Sequence, residues 1–206
     1  MRKNMKKLIF TLYVAVFAFG FQANDASAQM KKDKMSGDKM SSGKMSGNPM
    51  VGGAAMYKNK DIIDNAVNSK DHTTLVAAVK AAGLVDTLKG KGPFTVFAPT
   101  NSAFDALPAG TVDTLLKPEN KSMLTKILTY HVVAGNMDSK AIMKAIKKGK
   151  GKATFKTVSG GTLTASMSGN NLVLTDEKGG MSRVTIADVR QSNGVIHVVD
   201  TILMPN

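Results

Sequence analysis

Cysteine and tryptophan are both absent from the 206-residue chain, and aromatic residues make up only 5% of it. Without cysteine the protein has no disulfide bond, no thiol nucleophile and no lipid-modified cysteine behind an export signal. Because aromatic residues are few, aliphatic side chains must build most of the core. The formal net charge of +13 makes the chain strongly basic, and the position of that charge decides what it implies.

Residues 8–21, near the N-terminus, form an apolar run without charge. The run follows the basic segment MRKNMKK and is shorter than the roughly 20 residues that span a bilayer. Together with the small-x-small sequence that ends at Ala28, this order is typical of a secretory signal peptide. We therefore expect residues 1–28 to be removed by cleavage between Ala28 and Gln29; the alternative is an uncleaved N-terminal anchor. The predicted mature protein is secreted, periplasmic or extracellular, and has no transmembrane segment.

Methionine recurs every five residues after the expected cleavage site, at Met30, Met35, Met40, Met45 and Met50. A period of five matches neither a helix nor a strand. The segment has few side chains that could bury surface, so we expect residues 29–56 to form a disordered leader before a domain at 57–206. The alternative is soft-metal capture, because thioether sulfur is a suitable ligand for Cu(I).

Helical periodicity dominates the first half of the predicted domain. Asp61 is placed to cap a short helix, and Gly83 is placed to end a longer one. The longer helices are predicted at His72–Ala82, at Glu119–Tyr130 and after Asp138. We expect His72 to be exposed and Met123 to face inward. The apolar run Phe94–Ala98 predicts a buried strand.

The apolar pattern changes to a period of two in the second half of the domain. The predicted strands are Ala153–Val158, Thr162–Met167, Leu172–Thr175, Arg183–Val189 and Val195–Leu203. Turn signals rich in glycine, serine and asparagine separate them. Helices followed by consecutive strands favour an α+β fold, in which N-terminal helices pack with a mostly antiparallel β-sheet.

Three segments resemble the fasciclin domain family in wording and order. They are Thr95–Phe104 (TVFAPTNSAF), Tyr130–Val133 (YHVV) and Asn193–Asp200 (NGVIHVVD). With the helical segment before the first of them, the resemblance covers about residues 57–206, and secreted bacterial single-domain members look closest. It implies a wedge-shaped β-sheet region packed with several helices, together with a role in adhesion.

The resemblance also implies a candidate partner-binding surface. In animal members, a Tyr-His pair and an Asp-Ile dipeptide are associated with integrin contact. The matching positions here are Tyr130, His131, Asp188 and Val189, with valine in place of isoleucine. Because the leader is of bacterial type, the resemblance implies the location of a binding surface and not an integrin partner.

Seven lysines and no acidic residue lie between Lys140 and Lys156. The densest part contains Lys147, Lys148, Lys150 and Lys152, in what we expect to be an exposed, mobile loop. Such lysines attract anionic polysaccharides, lipid headgroups or nucleic acid over long range. Nucleic acid fits least, because no aromatic side chains are interleaved to stack on bases, and we do not expect it as a partner. The alternative is a solvated loop that aids solubility.

No residue pattern predicts catalysis, a metal site or a bound cofactor. The histidines at 72, 131 and 197 lack the spacing of metal ligands, and no Gly-x-Ser-x-Gly elbow is present. We interpret His131 as a structural histidine, and His197 as a core or edge histidine that shares a face with Val195 and Val199. An enzyme would require one of them to face a carboxylate and a hydroxyl in a pocket.

The sequence thus predicts a secreted, non-catalytic adhesion or binding module of the cell surface or extracellular matrix. Its expected partner is a surface protein or an anionic polysaccharide of the matrix, the latter bound through the lysine-rich segment. The alternative is a periplasmic protein that handles Cu(I) through the methionine-containing leader.

Overall fold

The computed structural model describes residues 47–206. The predicted signal peptide, its cleavage site and the methionines from Met30 to Met45 lie outside the described residues. The copper hypothesis therefore stays a prediction. Among residues 47–206, no helix has both the length and the apolar character needed to cross a membrane.

Helices are concentrated in the first half of the described region and strands in the second. The helices are α1 (Ile62–Ala66), α2 (Thr73–Ala82), α3 (Val85–Lys89), α4 (Asn101–Asp105), α5 (Thr111–Leu115), α6 (Lys121–Tyr130) and α7 (Ser139–Lys148), with short 3-10 helices at Lys70–His72 and Pro118–Asn120. The strands are β1 (Met50–Val51), β2 (Ala54–Ala55), β3 (Phe94–Pro99), β4 (Val132–Ala134), β5 (Lys152–Lys156), β6 (Thr162–Ser168), β7 (Asn171–Thr175), β8 (Met181–Gln191) and β9 (Gly194–Val199).

A hairpin of β1 and β2 opens the described region and corrects the predicted leader. The side chains of Val51 and Met56 are only 4% and 2% exposed, because both pack into the helical core. The Gly52 carbonyl accepts a hydrogen bond from the Lys70 N–H at 3.0 Å. The prediction of a disordered leader is therefore wrong for residues 50–56, which belong to the folded domain.

Local signals place the helices largely as predicted. The Asp61 side chain caps α1 by accepting a 2.7 Å hydrogen bond from the Asp64 N–H, and α2 ends at Gly83, whose φ is 73°. The expectation that Met123 faces inward is wrong, since its side chain is 57% exposed. The buried face of α6 consists of Leu124, Ile127, Leu128 and Tyr130.

The larger sheet has the strand order β4-β3-β9-β8-β7-β6-β5. All neighbouring strands pair antiparallel except β3 and β9, which are parallel, so the predicted α+β fold with a mostly antiparallel sheet is confirmed. A bridge between Val133 of β4 and Thr157, the residue after β5, links the two edges of the sheet. The last strand ends at Val199 and not at Leu203.

The parallel pair lies between two apolar cores, as its unbroken apolar sequences require. On one side, Val96 and Ile196 pack against helices α1 to α6. On the other, Phe97 and Val199 pack against α7 and the strands β6 and β7. Helix α7 thus closes the second core, and its outer side remains available to solvent.

Candidate functional site

Tyr130 lies at the C-terminal end of α6 and is fully buried. Its hydroxyl donates a 2.6 Å hydrogen bond to the Thr162 carbonyl and accepts one of 3.2 Å from the Glu177 N–H. Burial raises the pKa of Tyr130 to about 12. A Cβ atom at Gly161 would stand 2.8 Å from the ring, so glycine is needed there for the ring to fit. The tyrosine joins α6 to the strands and has no surface to offer a partner.

His131, the next residue, is 3% exposed and uses both ring nitrogens on the backbone. Nε2 accepts a 3.0 Å hydrogen bond from the Leu203 N–H, and Nδ1 donates one of 2.9 Å to the Ile127 carbonyl. Burial lowers the pKa of His131, so the ring is neutral. The interpretation as a structural histidine fits this geometry. The prediction that Tyr130 and His131 contact a partner directly is wrong, because both side chains are buried.

The remaining two histidines are buried as well. His197 is fully buried, donates from Nε2 to the Met137 carbonyl at 2.8 Å and accepts at Nδ1 from the Asp188 N–H at 3.4 Å. Its expected place in the core is confirmed. The expectation that His72 is exposed is wrong: it is 3% exposed, and its Nδ1 lies 2.9 Å from the Ser69 hydroxyl. Since His131 and His197 are both occupied by backbone groups, neither is free to act as a general base or a metal ligand.

Asp188 lies at an irregularity of β8, with a left-handed φ of 61°. Aspartate is among the few residues that adopt this conformation with some frequency. Its carboxylate accepts hydrogen bonds from the N–H and the hydroxyl of Ser139 at 2.6 and 2.5 Å. Val189, the other half of the predicted dipeptide, is fully buried, so its predicted contact with a partner is wrong. Asp188 instead fixes the beginning of α7.

Helix α7 is held at its N-terminus by a second carboxylate. Asp138 accepts a 2.8 Å hydrogen bond from the Ala141 N–H and pairs with Arg190 at 2.7 Å. The Ala141 N–H and then the Arg190 guanidinium hold the pKa of Asp138 below its usual value. On the inner face of the helix, the side chains of Ile142 and Ile146 are buried. The sequence predicted that a helix begins after Asp138 but gave no sign of the contacts of Ser139 and Arg190, because their partners lie about fifty residues away.

The outer side of α7, the turn after it and the outward positions of β5 carry the predicted lysines, which we call the lysine face. Its members are Lys140, Lys144, Lys147, Lys148, Lys150, Lys152 and Lys156. All of them are exposed, and none forms an ion pair with any of residues 47–206. The face is therefore a concentration of uncompensated positive charge on ordered backbone.

The lysines of this segment are exposed as expected, and the loop that carries them is only three residues long. Residues 149–151 form a tight turn in which the N–H groups of Gly149 and Gly151 donate to the carbonyls of Ala145 and Ile146 at 2.8 and 2.9 Å. Lys150 has a left-handed φ of 55°, and Gly151 one of 103°. The predicted loop is short because β5 begins directly after it.

Comparison with known proteins adds to this geometry. The chain matches the model of the Fasciclin domain over residues 70–205. It belongs to the fasciclin family. The chain is 47% identical to the protein sll1483 of Synechocystis over 159 residues, which are 75% of this chain and 79% of that protein.

Two mycobacterial relatives have more descriptive names. The chain is 39% identical over 145 residues to the immunogenic protein MPB70 of Mycobacterium bovis, covering 68% of this chain and 66% of that protein. It is 35% identical over 159 residues to the cell surface glycolipoprotein MPB83 of the same species, covering 75% and 64%.

Among solved structures, the chain is similar to a FAS1 domain pair from the insect cell adhesion molecule fasciclin I. The TM-score is 0.62 at 18% identity, and the match covers 70% of this chain and 51% of that one. The chain thus spans about half the length of that structure. At this identity the likeness shows a shared fold, which agrees with the resemblance seen in the sequence.

Proposed function

We propose that the protein is a secreted, non-catalytic adhesion module that binds anionic polymers at the cell surface through the lysine face. The single observation that carries this proposal is the set of seven exposed lysines without ion-pair partners in residues 47–206. Clustered charge of one sign raises the local concentration of oppositely charged polymers and speeds their association.

The contacts that fix the position of α7 support this proposal. Asp138, Asp188 and Arg190 fix the start of the helix, and Ile142 and Ile146 fix its inner side. The lysines of the helix and of β5 therefore stand on rigid elements at fixed spacing. A regular array of charges matches a repeating anionic polymer better than a flexible loop would, because less side-chain and backbone freedom is lost on binding.

The names of the relatives support an extracytoplasmic location. MPB83 is a cell surface glycolipoprotein, and fasciclin I is a cell adhesion molecule. These descriptions belong to those proteins, and we extend to this chain the general role in surface adhesion. The choice of an anionic polysaccharide as partner comes from the lysine face alone.

Binding of the full chain to heparin, a sulfated polysaccharide, tests the proposal. We expect affinity that falls steeply as salt is added, since salt screens exposed charges. Replacing five lysines by glutamine, at positions 144, 147, 148, 150 and 152, should weaken binding by about tenfold or more.

The matched control removes the same number of exposed lysines elsewhere, namely Lys58, Lys70, Lys80, Lys117 and Lys178. Both variants have the same net charge, so a response to overall charge alone would weaken binding equally in the two. Equal loss, or binding that does not depend on salt, would contradict the proposed role of the lysine face.

A further inference from the structure

An apolar cavity lies between the first helices and the sheet. Its lining comes from α1, α2 and α3 on one side and from β3 and β9 on the other, and its volume is about 80 Å³. Aliphatic side chains dominate the lining, among them Ile63, Val76, Val79, Leu84, Leu88 and Ile196. Apolar cavities of this kind stay free of water but accept apolar molecules. The cavity shares no residue with the lysine face.

The size of the cavity limits what it can hold. An engineered apolar cavity of about 150 Å³ takes one benzene molecule. In proportion, the present cavity of about 80 Å³ accommodates roughly three carbon atoms. Sites that enclose a whole ligand are larger, at roughly 300 Å³ or more. The cavity therefore suits the end of an alkyl chain, with the rest of the molecule outside it.

The lining reaches the surface at the junction of α2 and α3. Lys80 of α2 and Thr87 of α3 belong to the lining and are exposed, whereas their neighbours Val79 and Leu88 are buried. The Leu84 N–H donates a 3.0 Å hydrogen bond to the Val79 carbonyl, which holds the junction in place. This junction is the rim at which an alkyl chain would enter.

The charge at the rim is positive. Lys80 is the single charged side chain of the lining within residues 47–206, and it forms no ion pair with any of those residues. His72 and His131 also belong to the lining, but burial lowers their pKa values and keeps them neutral. Asp86, in the first turn of α3, does not line the cavity. An ammonium group beside an apolar cavity favours a ligand that joins an alkyl chain to an anionic head group.

We propose that this cavity binds the chain end of a medium-chain fatty acid. The terminal methyl group and the methylenes next to it fill the cavity, and the carboxylate meets the Lys80 ammonium group at the rim. Each methylene that is buried strengthens binding roughly fourfold. The methylenes of the Lys80 side chain lie between the cavity and the ammonium group, so they offer apolar contact to the middle of the chain. The proposal does not depend on the lysine face, which takes a different class of ligand.

Titration of the full chain with sodium octanoate, followed by the NMR chemical shifts of its methyl groups, tests the proposal. We expect saturable binding, with the largest shifts at Val79, Leu84 and Leu88. The variant K80Q should weaken octanoate binding by about tenfold but leave the binding of neutral octanol unchanged. The matched control is K117Q, which removes an exposed lysine outside the lining and should leave both unchanged.

The variant A98V separates ligand binding from folding. Ala98 lines the cavity from β3, and valine adds two methyl groups there while it suits a strand. The protein should therefore unfold at a higher temperature, whereas its affinity for octanoate should fall by about tenfold or more. The K80Q result stands whatever the stability of A98V, because Lys80 is exposed.

Three results would overturn the proposal. They are the lack of saturable binding at millimolar octanoate, equal affinities of K80Q and K117Q for octanoate, and full octanoate affinity in a folded A98V protein. None of them involves heparin, so this proposal and the proposed function can fail separately.

Discussion

The Nε2 atom of His131 lies 3.0 Å from the backbone nitrogen of Leu203 and accepts its hydrogen bond. A backbone N–H can only donate, so Nε2 must be without a proton and the ring must be neutral. This contact ties the end of α6 to the C-terminal segment, 72 positions later in the chain. Protonation of Nε2 would remove the acceptor and bury a charge.

Stability should therefore fall in mild acid. Burial lowers the pKa values of His72, His131 and His197 in the folded protein. The unfolded chain takes up protons first as the pH drops below about 6.5, the ordinary pKa of histidine. The contribution of each neutral ring to stability is thus fully present above this pH and is lost below it.

Urea unfolding at a series of pH values between 7.5 and 5 measures this loss. In H131Q the dependence should decrease by up to about 1.4 kcal/mol per pH unit. The part due to the other two histidines should remain. A dependence in H131Q that equals that of the unchanged protein would contradict the assignment.

Substitutions of Asp188 should separate its hydrogen bonds from its backbone conformation. D188A loses both bonds to Ser139 and places alanine at a φ of 61°, so we expect a loss of about 3 kcal/mol. D188G loses the same bonds but tolerates the φ, and should be about 1 kcal/mol more stable than D188A. D188N keeps one acceptor and should lose least. Chemical unfolding of the three variants checks this order, and D188G no more stable than D188A would contradict it.

Removal of the Tyr130 hydroxyl should cost stability because the Thr162 carbonyl and the Glu177 N–H both lose a partner. For Y130F we expect a loss of about 1 to 2 kcal/mol. Y57F is the matched control, since Tyr57 is 43% exposed, and should be nearly neutral. In a spectrophotometric titration, the difference between the unchanged protein and Y130F should reveal one tyrosine that ionises at a pH of about 12. Equal stabilities of Y130F and Y57F would count against the buried hydrogen bonds.

Sequence reasoning succeeded where the signal is local or where a family motif carries it. Helix α7 follows from the Asp138 cap and from the spacing of its apolar residues. The family motifs predicted the fold because their polar residues form hydrogen bonds between distant segments. His131 accepts one from the Leu203 N–H, and Asn193 accepts one from the Ile62 N–H. These same residues were poor guides to a binding surface, since a side chain that joins two segments is buried between them.

The errors arose where distant segments decide the outcome. Val51 and Met56 are two apolar residues in a glycine-rich stretch, which is too weak a pattern to indicate a buried hairpin. A position in the first turn of a predicted helix favours exposure of His72, but the neighbouring Lys70 N–H bonds to Gly52 of the hairpin and the His72 side chain is buried. The Asn193 side chain bonds to Ile62 and Leu88, both more than a hundred residues away, and no local pattern predicts such long-range contacts.

Lys150 offers a way to test the lysine face without harm to the fold. Its left-handed φ of 55° is unfavourable for lysine, whereas asparagine adopts this region several times more often than most residues. We therefore expect K150N to be as stable as the unchanged protein or slightly more so, by up to about 1 kcal/mol. Its affinity for heparin should nevertheless fall, because one positive charge of the face is gone.

The control is K58N, which removes an exposed lysine far along the chain from this face and should leave heparin affinity nearly unchanged. A K150N protein that is destabilised would show that the lysine side chain itself holds the turn, and unchanged affinity would place heparin binding elsewhere on the molecule.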